Sequence, residues 1–127
     1  MIAADTSAIM AVAAFEPRRD DCERALIEAE AVAISAGTLL ELVAVANSRG
    51  VGEAVLYLLE RFDIEVVPVT EEAAWTAAKA YLRWGKGYHP AGLNYGDCFS
   101  YALASERDWP LLFIGDDFSK TDIRSAL

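Results

Sequence analysis

Apolar residues along the chain fall into short runs that alternate with longer stretches of helical spacing. Met1–Ala4 predicts a first strand, and Thr6–Phe15 a helix that stops near Glu16–Pro17, since proline disfavours continuation. Arg18–Ala29 reads as a second helix, Val32–Ser35 as a short strand, and Gly37–Ser48 as a very apolar helix closed by Gly50. In Val51–Phe62, the residues Val55, Leu58, Leu59 and Phe62 recur at helical spacing. Ile64–Val69 predicts a strand. Thr70 caps a helix reaching about Trp84, with Glu71 and Glu72 at its positive end. Several glycines, Pro90 and the only histidine make Gly85–Gly92 a loop. A helix over Tyr95–Arg107 leads into a strand at Leu111–Ile114, and the tail Ser119–Leu127 suits either a short helix or a last strand.

With no internal repeat or linker, this alternation predicts one α/β domain over residues 1–127, built on a mostly parallel sheet covered on both faces. Ligands of such sheets bind beyond the carboxyl ends of the strands, where the strand order reverses. Asp5 directly follows the first strand, Asp116 and Asp117 follow the last, and Glu41 lies about one turn into the helix after the second. Asp97 opens a helix that ends just before a parallel strand begins, so it starts at the edge where strands end. Segment Gly85–Asn94 is long enough to cross back, at roughly 3.3 Å per residue. A parallel sheet therefore gathers all these carboxylates at one edge.

Each acid also has a plain structural role. Asp5, Thr6 or Ser7 can cap the first helix, Asp97 follows Asn94 at capping-box spacing, and Asp116 and Asp117 suit a turn. Glu41 fits such a role less easily, because Leu39, Leu40, Leu42 and Val43 surround it and a lone buried carboxylate is costly. A thin polar stripe of Thr38, Glu41 and Ser48 would put it at the surface. Two carboxylates about 4 Å apart repel by roughly 4 kcal/mol at an effective dielectric near 20. A cluster thus needs a cation or raised pKa values. An all-oxygen set suits Mg²⁺ or Mn²⁺ rather than zinc. No Ser-His-Asp or Cys-His arrangement can be assembled, and Gly85, Gly87 and Gly92 match no phosphate-loop spacing.

Composition narrows the class. At 54% hydrophobic and 24% charged, the chain can fill a core and is no disordered tail. The longest apolar run, Ala8 to Phe15, is far short of the ~20 residues of a membrane helix. The N-terminus lacks a basic region and carries Asp5 within its apolar segment, so a mature, cytoplasmic protein without membrane contact is expected. Cys22 and Cys98 are too few for a disulfide scaffold. Twenty acids against eleven bases give a net charge of −9, which favours a cationic partner or carboxylates that hold metal.

The ordered set of Met-Ile-Ala-Ala-Asp-Thr-Ser-Ala-Ile at the start, Glu41 in its apolar helix, Asn94-Tyr95-Gly96-Asp97-Cys98-Phe99 and Leu111-Leu112-Phe113-Ile114-Gly115-Asp116-Asp117-Phe118 resembles a PIN domain nearly end to end. In particular it is similar to the VapC-type toxin ribonucleases of VapBC toxin–antitoxin systems. The resemblance implies a three-layer α/β/α fold with a mostly parallel central sheet of about four to five strands. It implies a metal-dependent endoribonuclease, in which a water activated on Mg²⁺ or Mn²⁺ attacks an RNA phosphodiester, tRNA being one such substrate. The family's acids carry over to Asp5, Glu41 and Asp97, with the fourth at Asp116 or Asp117, and Thr6 or Ser7 orienting the first aspartate or a water. A homodimer and a cognate VapB-like antitoxin, whose basic segment enters the acidic site and whose apolar residues meet a groove of the early helices, are further implications.

Lys79, Arg83, Lys86 and His89, interleaved with Trp84, Tyr88 and Tyr95, suit RNA contact or, equally, a cationic helix end followed by a loop. Trp75 and Trp109 suit core or interface positions. Two other classes compete. A magnesium-dependent phosphotransfer or phosphatase domain lacks its acceptor here, since the middle strands are followed by Ser-Ala-Gly and Thr-Glu-Glu and Asp5-Thr6-Ser7 is not Asp-x-Asp. A catalytically weak PIN-like binding module has no need of the complete acid set.

Overall fold

Four short strands, β1 (Ile2–Ala4), β2 (Val32–Ser35), β3 (Glu65–Val67) and β4 (Leu111–Leu112), pair in parallel in the order β3-β2-β1-β4. They belong to a computed structural model that describes residues 1–127. The connecting helices are α1 (Thr6–Ala13), α2 (Arg19–Glu28), α3 (Ala36–Ser48), α4 (Gly52–Arg61), α5 (Glu71–Trp84) and α6 (Tyr95–Arg107). Alternate strand residues supply two cores. Ile2, Ala4, Val32, Ile34 and Leu112 pack with α1 to α4, whereas Ala3, Ala33, Leu111 and Phe113 pack with α5 and α6. The expected three layers result, and no helix is long and apolar enough to cross a membrane.

From β1 the chain moves outward through β2 to β3, then returns to β4 on the other side of β1. The order reverses between β1 and β4, so a crevice opens beyond their carboxyl ends. Two helices are aimed there by their caps. The Ser35 side chain accepts from the Gly37 N–H at the head of α3, and Asn94 and Asp97 form a reciprocal capping box at the head of α6. The two heads come close because residue 37 is glycine: a Cβ there would lie 2.6 Å from ring atoms of Phe99.

Several boundaries differ from the sequence reading. The first helix ends at Ala13 rather than Phe15, since Phe15 adopts a left-handed conformation (φ 54°) and turns the chain before Pro17. The third strand keeps only Glu65–Val67, Pro68 having no N–H to continue the ladder. The fourth pairs only at Leu111–Leu112 before the chain leaves for the acidic turn. The tail is not helical: it turns over Ser119–Asp122 and runs on without regular structure from Ile123. Its Ser125 forms a single parallel bridge to Leu111, with the Leu111 N–H donating to Arg124 O and the Ala126 N–H to Leu111 O, both at 2.9 Å.

Candidate active site

Asp5 leaves β1 at the reversal point, and its backbone N–H donates to Leu112 O at 3.0 Å, which fixes it beside β4. Its carboxylate is buried and accepts hydrogen bonds through both oxygens. Oδ2 accepts from the Ser7 N–H at 3.1 Å and the Ser7 hydroxyl at 2.6 Å, and Oδ1 accepts from the Ser100 hydroxyl at 2.7 Å. Ser7 Oγ in turn accepts from the Ile114 N–H at 3.0 Å, linking this acid to the segment leaving β4. Asp5 is therefore a helix cap whose second oxygen is held from α6.

Glu41 lies on α3, partly buried, and its Oε1 accepts from the Thr6 hydroxyl at 2.6 Å. Its other oxygen rests over Gly96, where a Cβ would collide with it. The polar stripe expected on this helix reaches the surface only at Ser48, because Thr38 is wholly buried and bonds Ser100 at 3.1 Å. Glu41 thus faces the other acids.

Asp97, only 7% exposed, uses Oδ2 to accept the Asn94 N–H at 3.0 Å, completing the capping box. Burial pushes its carboxyl up to about 7; the Asn94 N–H opposes the shift, and the charges of Asp117, Asp5 and Glu41 add to it. Of the two aspartates in the turn opened by Gly115 (φ 96°), Asp117 is the one whose charge acts on Asp97. Both aspartates are exposed, and the Asp116 carbonyl accepts from Ser119 N and Oγ.

The charges of Asp5, Glu41 and Asp117 all act on Asp97, and none of the four takes part in any of the chain's ion pairs. Their hard oxygen donors fit a divalent cation such as Mg²⁺ or Mn²⁺. No three of them converge at metal-ligand spacing in this structure, so the set is adjacent rather than closed. Sequence reading passed over Ser100 and set the buried Thr38 at the surface. Single hydroxyls in small-residue helices carry no pattern that would mark them.

The basic residues stand apart from this cluster. Lys79 and Lys86 are exposed, and the Arg83 guanidinium sits 4.4 Å over the Trp84 ring and 3.9 Å from Asp122. His89 Nδ1 accepts the Ala91 N–H at 3.0 Å, and its ring meets Trp84 edge-on, so it shapes the loop. Trp84 is buried and donates to the Tyr101 hydroxyl at 3.2 Å, so it is closed to base stacking; Tyr88 and Tyr95 are open. Trp75 is 62% exposed and not a core residue, whereas Trp109 is half-buried against the α6 layer.

Comparison with known proteins bears on the family and the fold. The PIN domain family matches residues 2–124. Ribonuclease VapC28 of Mycobacterium tuberculosis is 42% identical over 97% of this chain and 96% of its own length. Ribonuclease VapC of Mycolicibacterium smegmatis is 43% identical over 96% of this chain and 97% of its own. Among solved structures, the Mycobacterium tuberculosis VapC20 toxin, described as cleaving the sarcin–ricin loop, superposes with a TM-score of 0.78 at 21% identity, covering 97% of this chain and 96% of that one. A chain of a Klebsiella pneumoniae toxin–antitoxin complex gives 0.71 at 17% identity, covering 96% and 93%. With its acids at the reversal point of a parallel sheet and these relatives along nearly its whole length, the chain belongs to the PIN-domain family, as a VapC-type toxin ribonuclease.

Proposed function

We propose that the chain cuts RNA with a divalent cation, Mg²⁺ or Mn²⁺, held by Asp5, Glu41, Asp97 and Asp117. The observation that carries this reading is the meeting of Asp5, Glu41 and Asp97 where α3 and α6 converge on the end of β1, with Ser100 of α6 donating to Asp5 and Glu41 resting over Gly96, and with no cation paired to any of the three. A cation bound there supplies positive charge to the scissile phosphate and to an attacking water. Ser7 and Ser100 hold Asp5 by both oxygens, and Thr6 keeps Glu41 turned toward α6. Tyr95, 78% exposed and two residues before Asp97, offers a face for a flanking base. Lys79, Arg83 and Lys86, exposed on α5 and the loop after it, would meet more distant phosphates of a structured RNA, of which tRNA is one class, with His89 shaping that loop. Cleavage of cellular RNA by the purified chain in Mg²⁺ or Mn²⁺, abolished by EDTA and by Asp97→Asn, tests the reading; cleavage undiminished in EDTA would remove the cation from it.

The partner that restrains this activity is a VapB-like antitoxin with a basic inhibitory segment, consistent with the net charge of −9. Its apolar residues meet exposed Leu40 and Val43 of α3, since α1 is buried from Ala8 to Ala13 and offers little surface of its own. The chain also pairs with a second copy, through exposed Leu56 and Tyr57 of α4 and Trp75 and Leu82 of α5. It acts in the cytoplasm, where RNA is available and the free cysteines Cys22 and Cys98 stay reduced.

A further inference from the structure

Thr38, Ser100 and Asp5 meet in a single buried node, with exposures of 0%, 1% and 6%. Ser100 Oγ donates its only hydrogen to Asp5 Oδ1 at 2.7 Å, so at 3.1 Å it accepts from the Thr38 hydroxyl. Asp5 Oδ2 is served by Ser7, two residues along the chain, as in any capped helix. Oδ1 is served only from α6, by a residue 95 positions away.

Both hydroxyls lie one helical turn from an acid on the same face of their helix. Thr38 precedes Glu41 by three residues on α3, and Ser100 follows Asp97 by three on α6. The three elements that contribute Asp5, Glu41 and Asp97 are therefore pinned to one another at one point. Capping does not require such a node, because Asp5 and Asp97 already have their cap bonds from Ser7 and Asn94.

We infer that Ser100, backed by Thr38, is a positioning residue that fixes the direction of Asp5 Oδ1 and sets α3 and α6 in register with β1, so that three carboxylates face one cation. The inference rests on the cation site proposed above. Outer hydrogen bonds of this kind orient ligands, and their loss typically weakens metal affinity by about 10- to 100-fold. A node that only filled the core would affect stability and leave metal affinity alone.

The test is Mn²⁺ binding to the full chain without RNA, by calorimetry, with thermal melts in EDTA alongside. Ser100→Ala is expected to weaken Mn²⁺ binding by about tenfold or more and Thr38→Val by less. Thr38→Ser, which keeps the hydroxyl, should bind as the parent does. The double variant Thr38→Val/Ser100→Ala should be no weaker than Ser100→Ala, since Thr38 acts through Ser100. If Ser100→Ala fails to fold, the contrast between Thr38→Val and Thr38→Ser decides alone. Parental Mn²⁺ affinity in Ser100→Ala and Thr38→Val, whatever their melting points, overturns the positioning role and leaves the cation site standing. A parent that takes up no Mn²⁺ overturns both.

Discussion

The Glu41 carboxylate rests against the α-carbon of Gly96, leaving no room for a side chain at the residue before Asp97. Gly96→Ala therefore sets two effects against each other. Alanine favours the helix by up to about 1 kcal/mol over glycine. The flexible Glu41 must swing aside and give up its bond to Thr6. The variant should melt in EDTA at or above the parental temperature yet cut RNA about tenfold more slowly or worse. Parental cleavage would detach Glu41 from the chemistry.

Asp97 makes the metal-free protein sensitive to pH in an unusual direction. Its folded carboxyl is pushed up to about 7 from an ordinary 3.8, so between these values the native state binds more protons than the unfolded chain. Its contribution is fully present below the lower value and is lost as pH rises through the upper one, at no more than about 1.4 kcal/mol per pH unit. Urea unfolding in EDTA should show a more stable protein at mildly acidic than at mildly alkaline pH. Asp97→Asn, which can still accept the Asn94 N–H, should flatten the dependence. Equal slopes in both proteins would refute the assignment.

Asp5→Asn separates capping from clustering. Asparagine caps about as well as aspartate, so the bonds to Ser7 survive and folding is retained. Removing one repelling charge should leave the EDTA melting point equal or higher. The upward shift that saturating Mn²⁺ gives the parent should shrink sharply. Equal shifts in both proteins would reduce Asp5 to a helix cap.

The acidic turn makes a paired prediction. Asp117→Asn should cut RNA cleavage by at least about tenfold, because its charge reaches Asp97, while Asp116→Asn should stay within about twofold of the parent. Measured rates in the opposite order would exchange the two roles.

Self-association should be visible in sedimentation. Trp75 and Leu82 stand exposed on α5, and Leu82 borders an apolar groove of about 380 Å³ between α5 and α6. At micromolar concentration the parent should sediment as a dimer and Leu82→Arg as the 13.8 kDa chain. A parent that remains at 13.8 kDa throughout would end the proposal.

Placement of the acids at one sheet edge was legible because it follows from strand order, not from side-chain detail. Asp116 and Asp117 could not be told apart in the sequence, since neighbours in a tight turn point in different directions; in the folded turn both are exposed, and the charge of Asp117 acts on Asp97. Thr38 was misplaced because a single hydroxyl among leucines reads as surface until its partner is known, and Ser100 lies 62 residues further on. The helix end at Ala13 was hidden for a similar reason: Phe15 continues the apolar run, but it takes a left-handed backbone and lies 78% exposed.

The sheet itself offers little to a visitor. On one side β3 is only three residues long, stops at Pro68, and has Glu65 clamped by the two terminal guanidinium nitrogens of Arg107 at 2.9 Å. On the other, the tail already occupies the hydrogen-bonding groups of Leu111. Neither margin invites an extended peptide to add itself as a further strand. An inhibitor of this toxin is therefore expected to lay its contacts across helices, its sequence carrying helical or irregular anchors instead of a β-strand that completes the toxin's sheet.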